Sequence, residues 1–402
     1  MNKRMPLAVE GGARVRKAAF PPRALFDREC LTQVSKVFEE SWARDTDFGY
    51  QEQFETLYTQ AFCDYQGGGF ADVVCTGTAA IFVAIAALQL PPSSHVLVSS
   101  ITDPGTISAI ILNRLVPGLV DVEWESYNIG IDQFSSRISD RVKAAVVVHA
   151  SGKAAPIREI VGVAREKGIA VIEDCSQAHG AAIGNQKIGT FGDLAAFSTM
   201  YRKGHATGGS GGVVFTQNPH YHRLARAYAD RGKPYWQAGY DEKDPGGYLF
   251  PALNLNRDEI SCALGLATLA KLQATIEKRL AFLRNLRESI SGASKACRPT
   301  PVDSGDSPFF YPILVNQTSL HCSKQFFAEA IRAEGIPINP VYRYVVSDWP
   351  WVKPYLSDDF SCPNAIAMRD NSFNLLFNEH CGDQEVSDVT EAILKVERVY
   401  YG

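Results

Sequence analysis

From about residue 50 to about residue 265 the chain alternates helix-patterned segments with short β-branched runs that are apolar from end to end. The runs His95–Ser99, Leu119–Val122, Ala144–His149, Ile169–Glu173, Leu194–Ser198 and Gly211–Thr216 read as strands. Ala79–Leu88, Thr106–Leu112 and Ile157–Lys167 read as helices. Strands without polar alternation have no face for water, so such a sheet must be covered on both sides. The expectation is an α/β fold with a mainly parallel sheet between helices. Ligands of such sheets sit in the crevice at the strands' carboxyl ends. Asp174, Thr76–Thr78 and the turn Ser198–Lys203 all fall at such ends.

After this alternation the pattern lengthens. From Asp258 to about Leu286, Ile260, Leu264, Ala267, Leu269, Leu272 and Ile276 stand near helical spacing, as in an interdomain connector. Beyond about residue 290 a smaller α+β part is expected, with a strand at Tyr311–Val315 and helices near Ser323–Glu334 and Gln384–Val399. The first 40 residues are basic and proline-containing, then helical, and are expected to pack across the other domains or a partner subunit. The implied division is an N-terminal arm and helix (1–45), a large α/β domain (46–265), a connecting helix (266–290) and a small α+β domain (291–402).

Composition narrows the function classes. A chain of 402 residues can bury a large core, and its 46% hydrophobic and 21% charged content argues against disorder. A formal net charge of -4 leaves no electrostatic footprint for nucleic acid or an acidic membrane. No apolar run reaches the length of a membrane span and no signal-like core opens the chain, so a cytoplasmic protein is expected. Nine dispersed cysteines without a C-x-x-C pair read as reduced thiols. Eight histidines without metal-ligand spacing point to no metal.

Two segments carry the chemistry. Val171-Ile-Glu-Asp-Cys-Ser-Gln-Ala-His-Gly180 delivers Asp174 at the end of an apolar run. Leu194-Ala-Ala-Phe-Ser198 is followed five residues later by Lys203, just before Gly208-Gly-Ser-Gly-Gly212. A carboxylate and a lysine at neighbouring strand ends are what a pyridoxal phosphate site needs. The acid keeps the pyridine nitrogen protonated, and the lysine forms the Schiff base. Alone, Lys203 reads as a surface-loop lysine, and Asp174 as a helix cap or an arginine's partner. The Asp174 segment and the glycine cluster, which lets the backbone pass close to a cofactor, shift the reading of Lys203 toward a site, and the residues that follow Asp174 do the same for it. Gln177 and His179 follow at positions suited to flank a flat ring. Thr76-Gly-Thr-Ala-Ala-Ile follows the strand-like Asp72–Cys75 and opens a helix, where N–H groups and hydroxyls make a phosphate cradle; it is equally an ordinary threonine N-cap. Ser198 can add one hydroxyl to the same phosphate. The glycine cluster does not read as a dinucleotide fingerprint, because it precedes the strand-like Val213–Thr216 instead of linking a strand to a helix.

Over roughly residues 50 to 400 the chain resembles the sugar aminotransferases of the DegT/DnrJ/EryC1/StrS family, which are fold type I pyridoxal phosphate enzymes. The resemblance rests on Thr76-Gly-Thr-Ala-Ala, Val120-Asp-Val with Tyr127-Asn-Ile, His149-Ala-Ser-Gly, and Glu173-Asp-Cys-Ser-Gln-Ala-His-Gly. Gly189-Thr-Phe-Gly-Asp-Leu-Ala-Ala-Phe-Ser, the Lys203 turn, Gly211-Gly, Asn254-Leu-Asn-Arg-Asp-Glu-Ile-Ser-Cys-Ala-Leu-Gly and Asn371-Ser-Phe-Asn-Leu-Leu-Phe-Asn-Glu complete it. It implies Lys203 as the Schiff-base lysine and proton shuttle, Asp174 as the pyridinium partner, Gln177 by the ring, and Gly77, Thr78 and Ser198 on the phosphate. An asparagine of the Asn254 segment reaches the partner subunit's phosphate in this family, which implies a homodimer with shared active sites. The implied reaction is a ping-pong transfer from L-glutamate or L-glutamine to a ketosugar, a nucleotide-linked 3- or 4-ketosugar first. A sugar phosphate or a ketocyclitol is an alternative acceptor. The family's dehydratases carry histidine where this chain has Lys203, which argues against dehydration. A non-catalytic cofactor-binding regulator is the other alternative.

Three positions depart from the family pattern. Asp103, in Ile101-Thr-Asp-Pro-Gly-Thr, stands where an aromatic usually stacks on the ring. Ser210 stands for the usual acid in Gly209-Ser210-Gly211-Gly212, and Asn254-Leu255-Asn256 replaces Asn-Tyr-Arg with Arg257 shifted by one. The segments Arg231–Trp236 and Tyr342–Trp351 have the aromatic and basic character to bind a sugar or nucleotide, or to anchor loops.

Overall fold

A computed structural model describes residues 6–402; the first five residues of the expected N-terminal arm lie outside the described residues. Helices α1 (Arg28–Ala43) and α2 (Gln53–Gln66) precede an alternating series. It runs β1 (Phe70–Val74), α3 (Gly77–Ala87), β2 (His95–Ser99), α4 (Pro104–Leu112), β3 (Val116–Val120), α5 (Ile131–Ser136), β4 (Val142–Val148), α6 (Ile157–Glu166) and β5 (Ala170–Asp174). A small hairpin of β6 (Ala182–Ile183) and β7 (Gln186–Lys187) leads to β8 (Leu194–Ser198), β9 (Gly212–Thr216), α7 (Pro219–Ala229), α8 (Glu259–Leu269) and α9 (Leu272–Ala293).

Seven strands form one sheet in the order β1-β9-β8-β5-β4-β2-β3. Within it β9 runs against both neighbours, and the other pairings are parallel. A parallel return needs a crossover of a dozen or more residues, usually a helix. The link from β8 to β9 carries no helix, so the chain turns straight back beside β8. That turn holds Lys203. Helix α3 has no polar face: Ala79, Ala80, Ile81, Val83, Ala84 and Ile85 are all buried. It therefore lies inside the protein, with its N-terminus at the carboxyl end of β1.

The C-terminal part has a four-stranded antiparallel sheet of β10 (Cys297–Pro299), β11 (Tyr311–Val315), β12 (Ile338–Asn339) and β13 (Ser372–Leu375), in the order β10-β11-β13-β12. Helices α10 (Lys324–Ala333), α11 (Pro363–Asp370) and α12 (Asp383–Tyr400) accompany it. Phe327, Ile331, Ile313, Phe373 and Ile393 share a core with Leu283, Leu286 and Ile290 of α9. The part also reaches back, because Val345, Val346 and Val352 are buried in the core of the large sheet. A mostly parallel seven-stranded sheet with a smaller second sheet is the architecture expected from the sequence.

Strands β2, β8 and β11 have the bounds read from the sequence. The expected helical stretch after Asp258 is two helices, interrupted at Ala270–Lys271. At the break the Thr268 hydroxyl donates to the Ala206 carbonyl, and Lys271 pairs with Asp27 at 2.6 Å, the N-cap of α1. The N-terminal arm packs on the C-terminal part. Glu334 accepts the backbone N–H groups of Ala8 and Val15 at 2.8 and 3.1 Å, and Arg16 pairs with Glu385 and Asp388.

Candidate active site

Three strand ends meet in one cavity of about 250 Å³, at the carboxyl edge of β1, β5 and β8. Its walls include Gly77, Thr78, Asp103, Asp174, Gln177, Ser198 and Lys203, so seven of the eight residues expected from the sequence come together. Asn254 does not line the cavity of its own chain. It is exposed, and its side-chain oxygen accepts the Asn256 amide at 2.9 Å.

Asp174 ends β5 and is 3% exposed. Its two carboxylate oxygens accept the Thr106 hydroxyl at 3.0 Å and the Ser176 backbone N–H at 3.1 Å. Thr102 and Thr106 share a hydroxyl hydrogen bond of 2.9 Å. These bonds fix the plane of the carboxylate. The residue before it in the strand points the other way. Glu173 accepts the backbone N–H groups of Gly189, Phe191 and Gly192 at 2.7 to 2.8 Å. His149 Nδ1 accepts the Ala155 N–H, so its Nε2 carries the proton and donates to Glu173 at 3.0 Å. Glu173 and His149 lie close enough to Cys175 to form a ligand-like cluster, but these bonds occupy the carboxylate and both ring nitrogens as scaffold.

Lys203 sits in the turn after β8, its N–H donating to the Met200 carbonyl at 2.9 Å. Its Nζ lies 4.6 Å from the centroid of the Phe309 ring. Burial pushes its ammonium below the ordinary lysine value, while the carboxylates of Asp174 and Asp103 pull it back up. Burial prevails, so the ammonium gives up its proton more readily than that of a free lysine.

At the N-terminus of α3 the Thr76 hydroxyl accepts the Ala79 N–H at 2.8 Å. The N–H groups of Gly77 and Thr78 belong to the first turn, whose donors have no intrahelical acceptor. Two glycines keep this corner open. A Cβ on Gly77 would come within 2.5 Å of the Ser198 Cβ, and one on Gly105 within 2.3 Å of the Thr78 hydroxyl. Gln177 is held by the Ser151 N–H, which donates to its Oε1 at 2.9 Å, while its amide lies 3.5 Å from the Tyr342 hydroxyl. Asp103 plays two parts: it caps α4 by accepting the Gly105 N–H at 2.9 Å, and its exposed carboxylate borders the cavity.

His179 corrects the sequence reading. It does not flank the cavity but is buried behind it, with its ring against Phe197 and His205. The segment after β5 turns at Ser176 and Gln177, so strand alternation does not carry past Asp174. Burial, then the charges of His205, Lys203 and Arg23, push its pKa well below the ordinary value. Of the two candidate sugar-binding segments, Tyr342 approaches the site through Gln177, whereas Arg231 is engaged by Asp230 and Tyr50. Sequence reasoning missed Thr106 and Phe309. Thr106 stands three residues after Asp103 in the first turn of α4, a signal that was available; Phe309 comes from the C-terminal part and carries none.

Comparison with known proteins follows this geometry. A model of the DegT/DnrJ/EryC1/StrS aminotransferase family matches residues 26–394. Protein MosB of Rhizobium meliloti is 35% identical over 249 residues, 61% of this chain and 47% of MosB. A UDP-N-acetyl-3-dehydro-alpha-D-glucosamine 3-aminotransferase of Acidithiobacillus ferrooxidans is 35% identical over 209 residues, 52% of this chain and 54% of that protein. The matched spans are thus about half the length of these two relatives. An aminotransferase structure from Psychrobacter cryohalolentis superposes with a TM-score of 0.83 at 23% identity, covering 93% of this chain and 98% of the other, and shows the same fold. The chain belongs to the DegT/DnrJ/EryC1/StrS aminotransferase family.

Proposed function

We propose that this protein is a pyridoxal phosphate-dependent aminotransferase. It moves an amino group from L-glutamate or L-glutamine to a ketosugar, foremost a nucleotide-linked 3- or 4-ketosugar, in a ping-pong cycle. The observation that carries the reading is Lys203 and Asp174 in one cavity, beside a helix N-terminus that two glycines keep open. The residues fit the family's cofactor: N–H donors and hydroxyls for a phosphate, a fixed carboxylate for a ring nitrogen, and a buried lysine amine in the same cavity. When bound, pyridoxal phosphate supplies an aldehyde that links to amines and a ring that withdraws electrons.

The chain's own residues divide the remaining work. Gly77, Thr78 and Ser198 hold the phosphate, using the α3 N-terminus as the anion site. Asp174 keeps the proton on the ring nitrogen, and Thr106 and the Ser176 N–H keep Asp174 oriented. Gln177 would flank the ring. Lys203 Nζ would be the point of attachment for the cofactor and, as a free amine, would move the proton at the donor's α-carbon as a general base and acid. Asp103 offers substrate hydroxyls an acceptor at the cavity mouth, where an aromatic would offer stacking area.

A homodimer with shared active sites fits two features of the surface. Leu31 and Trp42 of α1 and Leu57 of α2 are 66%, 74% and 46% exposed. Asn254 is exposed and outside its own cavity, free to serve the partner's phosphate. Among the described residues no helix is long and apolar enough to cross a membrane. This accords with the cytoplasmic location we propose.

The test loads the protein with pyridoxal phosphate and follows its visible absorbance on adding L-glutamate or L-glutamine. The resulting amine form is then offered a panel of nucleotide-linked ketosugars, sugar phosphates and ketocyclitols. Amine appearing on a ketosugar supports the reading. Loss of a sugar hydroxyl without amine would establish dehydration, and an unchanged spectrum with every donor would leave a binding protein.

A further inference from the structure

The turn that carries Lys203 belongs to no helix or strand; Thr268 holds its backbone at Ala206, and one further side chain grips residues 201–204. Arg23, in the N-terminal arm, donates from Nη1 to the carbonyls of Lys203 at 2.5 Å and Tyr201 at 3.2 Å, and from Nη2 to that of Gly204 at 2.9 Å. Its Nε donates to Glu379 Oε1 at 3.0 Å. The other oxygen of Glu379 accepts from Arg279 of α9 at 2.8 and 3.0 Å. The remaining end of Arg279 donates to the Pro308 carbonyl at 2.9 Å, next to the Phe309 ring against which the Lys203 amine lies.

One carboxylate thus braces two arginines. The first grips the backbone on which the lysine stands, and the second grips the segment that presents its ring neighbour. Side-chain exposure is 16% for Arg23, 6% for Glu379 and 5% for Arg279, so water competes little for these bonds. The arm is secured at the same place. His380 Nε2 donates to the Arg23 carbonyl at 2.9 Å, and the Asn378 amide to the Pro21 carbonyl at 2.7 Å. A planar guanidinium can reach three carbonyls and a carboxylate at once; a lysine ammonium cannot reproduce that fork.

We propose that Arg23, braced by Glu379, is a positioning residue for Lys203, so that the N-terminal arm sets the geometry of the reacting amine. This rests on the reading of Lys203 as that amine. No residue of the arm lines the cavity, and none reaches substrate in this scheme. It acts through the backbone of residues 201–204. A reacting atom displaced by about 1 Å can cost on the order of 10²-fold in rate, so such a tether matters to catalysis even from outside the cavity.

The test uses Arg23→Ala, Arg23→Lys and Glu379→Gln in the full chain. Without cofactor, amide hydrogen exchange in the peptide spanning residues 199–206 should quicken about tenfold or more in Arg23→Ala, while peptides of β4 and β5 keep the wild-type rate. With pyridoxal phosphate, borohydride trapping of the cofactor on Lys203, read by peptide mass, should slow. The kcat of the donor half-reaction should fall on the order of 10²-fold with the donor KM within about twofold. Arg23→Lys should restore part of the rate, and Glu379→Gln should move all three readouts the same way by less. If Arg23→Ala does not fold, Arg23→Lys and Glu379→Gln decide. Wild-type exchange at residues 199–206 in the folded variants overturns the proposal, as does a wild-type trapping rate. If the wild-type protein transaminates no donor, the proposed function fails, while the exchange measurement still decides whether Arg23 holds the turn.

Discussion

Glu173 and Asp174 are consecutive buried carboxylates on β5, and the strand's pleat sends them to opposite faces of the sheet. On one face Glu173 meets three backbone N–H groups and His149, and every acceptor is engaged with protein. On the other, Asp174 meets one hydroxyl and one N–H and borders a cavity. The difference shows how one strand separates holding from reacting. A carboxylate saturated with donors ties a turn to the sheet, whereas one left partly open can serve a ligand. The same division recurs along the next strand, where Phe197 fills the core and Ser198 faces the cavity.

Lys203→Ala, on the open side, should have the largest effect of all. Transamination should fall by about 10³-fold or more with the far-UV spectrum unchanged, since the proton shuttle and the attachment point are lost together. Near-normal turnover would remove Lys203 from the chemistry.

The two carboxylates should then fail in opposite ways. Asp174→Asn should lose activity on the order of 10²-fold while urea unfolding shifts by less than about 1 kcal/mol. Glu173→Gln should cost about 2–4 kcal/mol, because an amide nitrogen replaces an acceptor that buried N–H groups require. Its folded fraction should keep most of the activity. Equal effects of both changes on stability would end the contrast.

Asp103→Phe should spare cofactor binding and slow the acceptor half-reaction about tenfold more than the donor half, if its carboxylate serves substrate hydroxyls. Equal losses in both halves would reduce Asp103 to its role as the cap of α4.

The smallest effect concerns pH. Burial lowers the Lys203 ammonium from 10.5, and Asp174 and Asp103 oppose that shift. Nζ should therefore be acylated at a lower pH than a free lysine, and Asp103→Asn should move the onset lower still. Between the lowered value and 10.5 the unfolded chain binds the extra proton, so this group makes stability rise with pH across that window. Lys203→Met should flatten the rise, as measured by urea midpoints across the alkaline range.

Much of this is legible in the sequence. The apolar runs of β2, β8 and β11 name their own ends, because a residue buried on both faces of a sheet must be apolar at every position. Asp174 and Lys203 were legible because each lies within a few residues of a strand end. His179 is not legible in this way, because β5 ends at Asp174 and a turn takes in Ser176 and Gln177, and a turn has no fixed period from which to project a side chain. The break at Ala270–Lys271 was invisible, since Lys271 leaves the helical path to meet Asp27, far away in the chain.

The sequence by itself determined the alternation, the parallel sheet and the candidate pair Asp174 and Lys203, because periodicity and strand-end chemistry are local properties of the chain. Only the tertiary structure decided what surrounds that pair. Thr106 on Asp174, Phe309 beside the lysine amine and Arg23 on the lysine's backbone come from segments 68, 106 and 180 residues away. Contacts at such separations depend on where the packed elements cross, and no pattern within a single segment records that crossing.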